Sequence, residues 1–240
     1  MKLKCLACEA LARIAYICAA HSPHVVDVEL YRIGLHSDPD DLRTRLQARI
    51  DALSEEAYDA IVMAYGLCGK ATAGLVARET PLVLPRAHDC ITLYLGSRER
   101  YGEQFRTNPG TYWYTLDYRE RAQGTMSLGA EAETQTQEMY QEYVRRYGED
   151  NAAYLMEVLG AWQQHYDRAA FIDMGVGDSA EVEAQTRADA ARRGWTFERM
   201  AGDLILIRRL LQGEWDDDFL ILGPGQCVVM TADERVFAGL

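Results

Sequence analysis

Six cysteines and five histidines carry most of the metal-binding and nucleophilic chemistry open to this sequence. Four of the cysteines follow apolar runs of strand character. Cys8 follows Leu3 to Ala7, Cys68 follows Ala60 to Tyr65, Cys90 follows Pro81 to Leu84, and Cys227 follows Phe219 to Leu222. In an open parallel sheet the loops after the strands share one edge, where ligands bind. Thiols distant in sequence then converge. His88 stands two residues before Cys90 and can join them. Three thiolates and an imidazole suit Zn²⁺ or an iron–sulfur centre and do not suit a hard cation. The expected metal set is therefore Cys8, Cys68, His88 and Cys90. Cys227 and His36 are held in reserve, because His36 also follows a strand-like run.

Each of these residues has a plainer reading beside it. Buried cysteine is a common small apolar filler, and that reading is preferred for Cys5 and Cys18. Cys5-Leu-Ala-Cys8 matches C-x-x-C but lacks the proline and aromatic surroundings of redox loops. Cys8 sits at an expected helix start, whose partial positive charge favours thiolate. Without a metal, Cys68 or Cys90 would be a nucleophile with His88 as its base. The catalytic candidates are thus His88, Asp89 and Arg86. Asp89 would orient a ligand, and Arg86 would bind a carboxylate or phosphate, or else pair with an acidic neighbour. Gly66 and Gly69 let backbone approach a cofactor closely, although no Walker pattern is present. Gly175-Val-Gly177 reads as a strand-to-helix turn, and Asp216-Asp-Asp218 as a solvated turn. His21, His24 and His165 read as solvated.

The elements that must position these groups alternate between strand and helix. Expected strands are Leu3 to Ala7, Val25 to Tyr31, Ala60 to Tyr65 and Pro81 to Leu84, then Ala169 to Met174, Thr196 to Met200 and Phe219 to Leu222, with Val228 to Thr231 extending the last. Expected helices are Glu9 to Ala20, one capped at Asp38 and running to Leu53, one after Gly66-Leu-Cys-Gly69, Ile91 to Leu95, one capped at Asp178 or Ser179 and running to Arg193, and Leu204 to Leu211. Such alternation implies an α/β fold: a mostly parallel sheet with helical crossovers, in two Rossmann-like lobes. Thr111 to Thr115 reads as an aromatic strand. Ala130 to Tyr166 reads as a helical hairpin, whose Tyr140, Tyr143, Tyr147 and Tyr154 fit packing of amphipathic helices. The expected partition is an amino-terminal lobe over 1–108, a helical insertion or connector over 109–167 and a carboxyl-terminal lobe over 168–240, or one continuous domain.

Composition bounds the function. The 240 residues carry 25 Lys and Arg against 37 Asp and Glu, a net charge of −12. That balance argues against nucleic acid as a partner, since phosphate backbones need a positive face. No apolar run reaches the roughly 18–20 residues of a spanning helix, and no signal-peptide pattern opens the chain. The expectation is a cytoplasmic protein with no membrane partner, whose thiols are free or metal-bound.

Several motifs together resemble a known family. They are Ala7-Cys8 before a helix, Leu35-His36 with Pro39, Tyr65-Gly-Leu-Cys-Gly69 with Gly74-Leu75, Pro85-Arg-Ala-His-Asp-Cys-Ile91 with Leu95-Gly-Ser97, and Gly110-Thr-Tyr-Trp-Tyr. They look like domain of unknown function 1638. The resemblance implies a place beside corrinoid-dependent methyltransferase systems, in methyl transfer or cobalamin handling. The D-x-H-x-x-G cobalt-ligand pattern is absent, so a corrinoid would be carried by a partner protein. His88-Asp-Cys90 with a distant Cys227 is also similar to the H-x-C…C ligand order of zinc-dependent thiol methyltransferases of the uroporphyrinogen-decarboxylase type. The surrounding chain does not resemble those barrels. The expected function is a metal-binding protein with a Cys/His site at the sheet edge, acting on a small-molecule substrate as a metal-dependent transferase. Alternatives are a non-catalytic metallochaperone or accessory protein, a metal-free Cys/His thiol enzyme, and a binding domain whose cysteines only pack.

Overall fold

The computed structural model describes residues 1–53, 57–121, 141, 144–145, 148–149, 166–233 and 235–240. The chain divides into two compact units. One comprises Met1–Glu103, Met174–Val176 and Ala201–Leu240, the other Gln104–Asp173 and Gly177–Met200. The expected hairpin at Ala130 to Tyr166, with Tyr140, Tyr143, Tyr147, Tyr154 and His165, lies almost wholly outside the described residues.

The first unit is built on a five-stranded sheet. Strands β1 (Lys2–Cys8), β2 (Val25–Tyr31), β3 (Ala60–Ala64) and β4 (Leu82–Pro85) run parallel in the order β2-β1-β3-β4. Strands β3 and β4 are buried at every position, so they read as unbroken apolar runs and not as alternations. A single 3-10 turn, Glu9–Leu11, leads into helix α1 (Ala12–Ala20), and a second, Leu35–Ser37, precedes α2 (Pro39–Leu53). Helix α2 buries Leu42, Leu46, Ile50 and Leu53, whose spacing puts them on one face. After β4 come α3 (Cys90–Leu95) and α4 (Arg98–Thr107).

Three expectations are corrected here. No helix follows Gly66-Leu-Cys-Gly69. Cys68, Gly69 and Lys70 take φ of 46°, 66° and 78°, a left-handed turn from which a right-handed helix cannot propagate. Phe219–Leu222 (β8) joins the first sheet as an antiparallel edge against β4. It is not extended by Val228–Met230 (β9), which forms a separate hairpin with β10 (Phe237–Gly239). The Asp216-Asp-Asp218 turn is not simply solvated either. The Asp218 carboxylate pairs with Arg98 at 3.0 Å and Arg209 at 2.9 Å. Arg209 lies on the helix of Ile205–Gln212.

The second unit carries a smaller sheet. Strands β5 (Thr111–Thr115) and β6 (Arg168–Asp173) are parallel, and β7 (Thr196–Ala201) follows a crossover helix, Ala180–Arg193. Tyr114, Ala169, Phe171 and Ala190 form its core. The aromatic run of β5 is spent on packing. Tyr112 meets Tyr166 edge-on and Trp195 at a tilt, at centroid distances of 5.3 and 6.1 Å.

Candidate functional site

The carboxyl ends of β1, β3 and β4 bring three cysteine-bearing segments together within the first unit. The β3–β4 pairing does not stop at the strands. The Leu67 N–H donates to the Ala87 carbonyl at 2.8 Å, and the Cys68 N–H to the His88 carbonyl at 3.0 Å. Gly66 makes this approach feasible. A Cβ there would lie 2.7 Å from the Asp89 nitrogen and 2.8 Å from the Ala87 oxygen, closer than real side chains come. Thr72 ties the loop back by donating from Oγ1 to the Gly66 carbonyl at 3.0 Å. The segment after Cys8 is joined to α3 by Tyr94, whose buried hydroxyl donates to the Ala10 carbonyl.

Cys8 ends β1 opposite Tyr31 of β2. Cys8, Tyr31, Leu35, Leu67 and Cys68 pack against one apolar cluster that includes Tyr65. Cys90 opens α3, whose cap is Asp89. Its carboxylate accepts from the Ile91 and Thr92 N–H groups at 3.0 and 3.2 Å. Burial pushes the Cys8 thiol up to about 11 and the Cys68 thiol up to about 12, and it drives Cys90 well above its ordinary value. Neighbouring negative charge adds to burial at Cys68 and Cys90. Cys68 feels Cys8, and Cys90 feels Asp89, Cys68 and Cys8. Backbone N–H groups of Ala10 and Gly66 work the other way on Cys8 and Cys68. The net result is three clustered thiols that keep their protons at neutral pH.

Cys68 also sits in backbone strain. A left-handed non-glycine residue costs on the order of 1–2 kcal/mol, and its φ of 46° is followed by another such residue at Lys70. The turn is held by the paired backbone on one side and by the Ala71 N–H, which donates to the Cys68 carbonyl at 3.2 Å, on the other.

The other expected site residues are distributed as follows. His88 is exposed, and its ring stacks on Tyr101 at 5.8 Å and 28°. Asp89 is raised by burial, countered by the Thr92 N–H, by Tyr101, whose hydroxyl donates at 3.1 Å, and by the Ile91 N–H. Arg86 spends its guanidinium on the carbonyls of Arg235 and Phe237, which anchors the carboxyl-terminal hairpin. Gly69 is exposed, against Pro39 and the His36 carbonyl. His36 is half-buried. Burial lowers its imidazole, while the charge of Asp89 raises it. Cys227 is placed by other partners, bridging to Val76 and exchanging backbone hydrogen bonds with Leu240. Cys5 is buried in mid-β1 and Cys18 in α1, as fillers would be. Of the histidines read as solvated, His21 is exposed, but His24 is half-buried and bonds the Gln212 carbonyl at 3.1 Å.

Four tyrosines at this site escape a reading from sequence. Burial pushes the Tyr65 phenol up, with Cys8, Cys68 and Tyr31 adding to the effect. Tyr31 donates to Glu29 at 3.2 Å. Tyr94 and Tyr101 make the contacts given above. Only Tyr65 left a trace in the sequence, as the residue before the glycine turn.

Three neighbouring soft donors suit a soft cation, which would replace their protons and relieve their repulsion. Among the described residues, no three His, Cys, Asp or Glu side chains stand arranged to hold a metal as they lie.

This is an α/β protein whose mostly parallel sheet gathers cysteines at its carboxyl edge. The chain belongs to the family described as Protein of unknown function (DUF1638), whose model matches residues 30–211. His36, Cys68, His88 and Cys90 fall inside that stretch, and Cys8 precedes it. Comparison with curated proteins and with solved structures found no match. No helix among the described residues is long and apolar enough to cross a membrane.

Proposed function

We propose that Cys8, Cys68 and Cys90 hold a soft metal centre, zinc or an iron–sulfur cluster, and that the protein acts on a small thiol in methyl transfer. The observation that carries this reading is the gathering of three half-buried thiols at the end of β1, in the turn after β3 and at the start of α3, where the Cys68 N–H donates to the His88 carbonyl. When bound, zinc would supply Lewis acidity, or a cluster electrons. The chain's own part would be to give up three thiol protons, to hold the sulfurs from the end of β1, the turn after β3 and the start of α3, and to keep Asp89 fixed between Tyr101 and the start of α3. In the transfer itself the sulfur–methyl bond forms as the methyl–donor bond breaks. The electron pair stays with the donor, and the thiol proton is released to water.

The methyl donor belongs to the proposal through the family resemblance, as a corrinoid carried on a partner protein. A reducing, cytoplasmic compartment fits six cysteines that are all free thiols. A metal-free nucleophile is less well supported, because nucleophilic cysteines need a depressed pKa and these are raised. A metallochaperone would use the same ligands and differ in exchange rate.

The test is metal content in Cys8→Ser, Cys68→Ser and Cys90→Ser proteins, purified without oxygen or an affinity metal column. Each variant is expected to lose metal. Stoichiometric metal in all three would overturn the reading. Surrender of metal to a chelator within minutes would move the assignment to metallochaperone.

A further inference from the structure

We draw no further inference here: the strongest candidate, the side-chain cluster of Cys8 and Cys68 at the carboxyl edge of the first sheet, taken as a dithiol that closes to a disulfide, belongs to the site already described and is joined only by a shared apolar cluster and the effect of one thiol's charge on the other.

Discussion

Gly66 lies against Asp89 so closely that a methyl group on it would fall 2.9 Å from the Asp89 Cα and 2.7 Å from its nitrogen. Both neighbours are backbone, which cannot swing aside as a flexible side chain would. The loop bearing Cys68 and the loop bearing Cys90 are therefore held in register by the lack of a side chain. With the Leu67–Ala87 and Cys68–His88 hydrogen bonds, that contact joins the two turns that follow adjacent strands.

Gly66→Ala should accordingly destabilise the protein by the roughly 1–3 kcal/mol typical of overpacking. The loss would appear as a lower urea midpoint. An unchanged midpoint would mean that the two loops are not held by this contact.

Asp89 should be separable into cap and charge. Asp89→Ala removes an acceptor from two N–H groups at the start of α3, at a cost of about 0.5–2 kcal/mol. Asp89→Asn keeps a cap and should retain most of that stability. Equal losses in both variants would show that charge, not capping, is what the fold uses.

Arg86 should prove to be a fastener of the carboxyl-terminal hairpin. Its bonds go to the carbonyls of Arg235 and Phe237. Arg86→Ala should speed hydrogen exchange in residues 228–239 and leave metal content as in the wild type. Loss of metal with unchanged exchange would contradict this.

The pH dependence has a definite sign. In the fold Cys8 titrates near 11 and Cys68 near 12, against an ordinary value of about 9. From about 9 upward the unfolded chain sheds these protons while the native state keeps them, so stability falls as pH rises. Cys5 and Cys18, raised to about 12 and about 11, act in the same direction. Reduced, metal-free protein should show a falling urea midpoint between pH 8 and roughly 11, and Cys8→Ala should flatten the fall. A midpoint that rises over that range would contradict the burial of these thiols.

Much of the fold was legible because strand and helix periods are local. The buried run Ala60–Ala64, the alternation of Val25–Tyr31 and the face of Leu42, Leu46, Ile50 and Leu53 each declare themselves. What could not be read depends on partners. Phe219–Leu222 has the same apolar look whether it pairs parallel or antiparallel, and only the chain's return to β4 decides. The missing helix after Gly69 turns on the left-handed backbone of Cys68 and Lys70, which residue type does not announce. Helix α4 went unread because it buries no side chain and so leaves no apolar stripe. At the site, the cysteines were legible as residues following strands. The use of Arg86 on the Arg235 and Phe237 carbonyls was not, since it depends on a hairpin distant in the chain.

The central claim is tested most directly by metal and acid-labile sulfide content of reduced wild-type protein, purified without oxygen and without an affinity metal column. The account predicts one zinc per chain with no visible colour, or iron with acid-labile sulfide, in either case lost when Cys8, Cys68 or Cys90 is replaced by serine. Fully reduced protein that holds neither metal, and takes up neither when it is supplied, would contradict it.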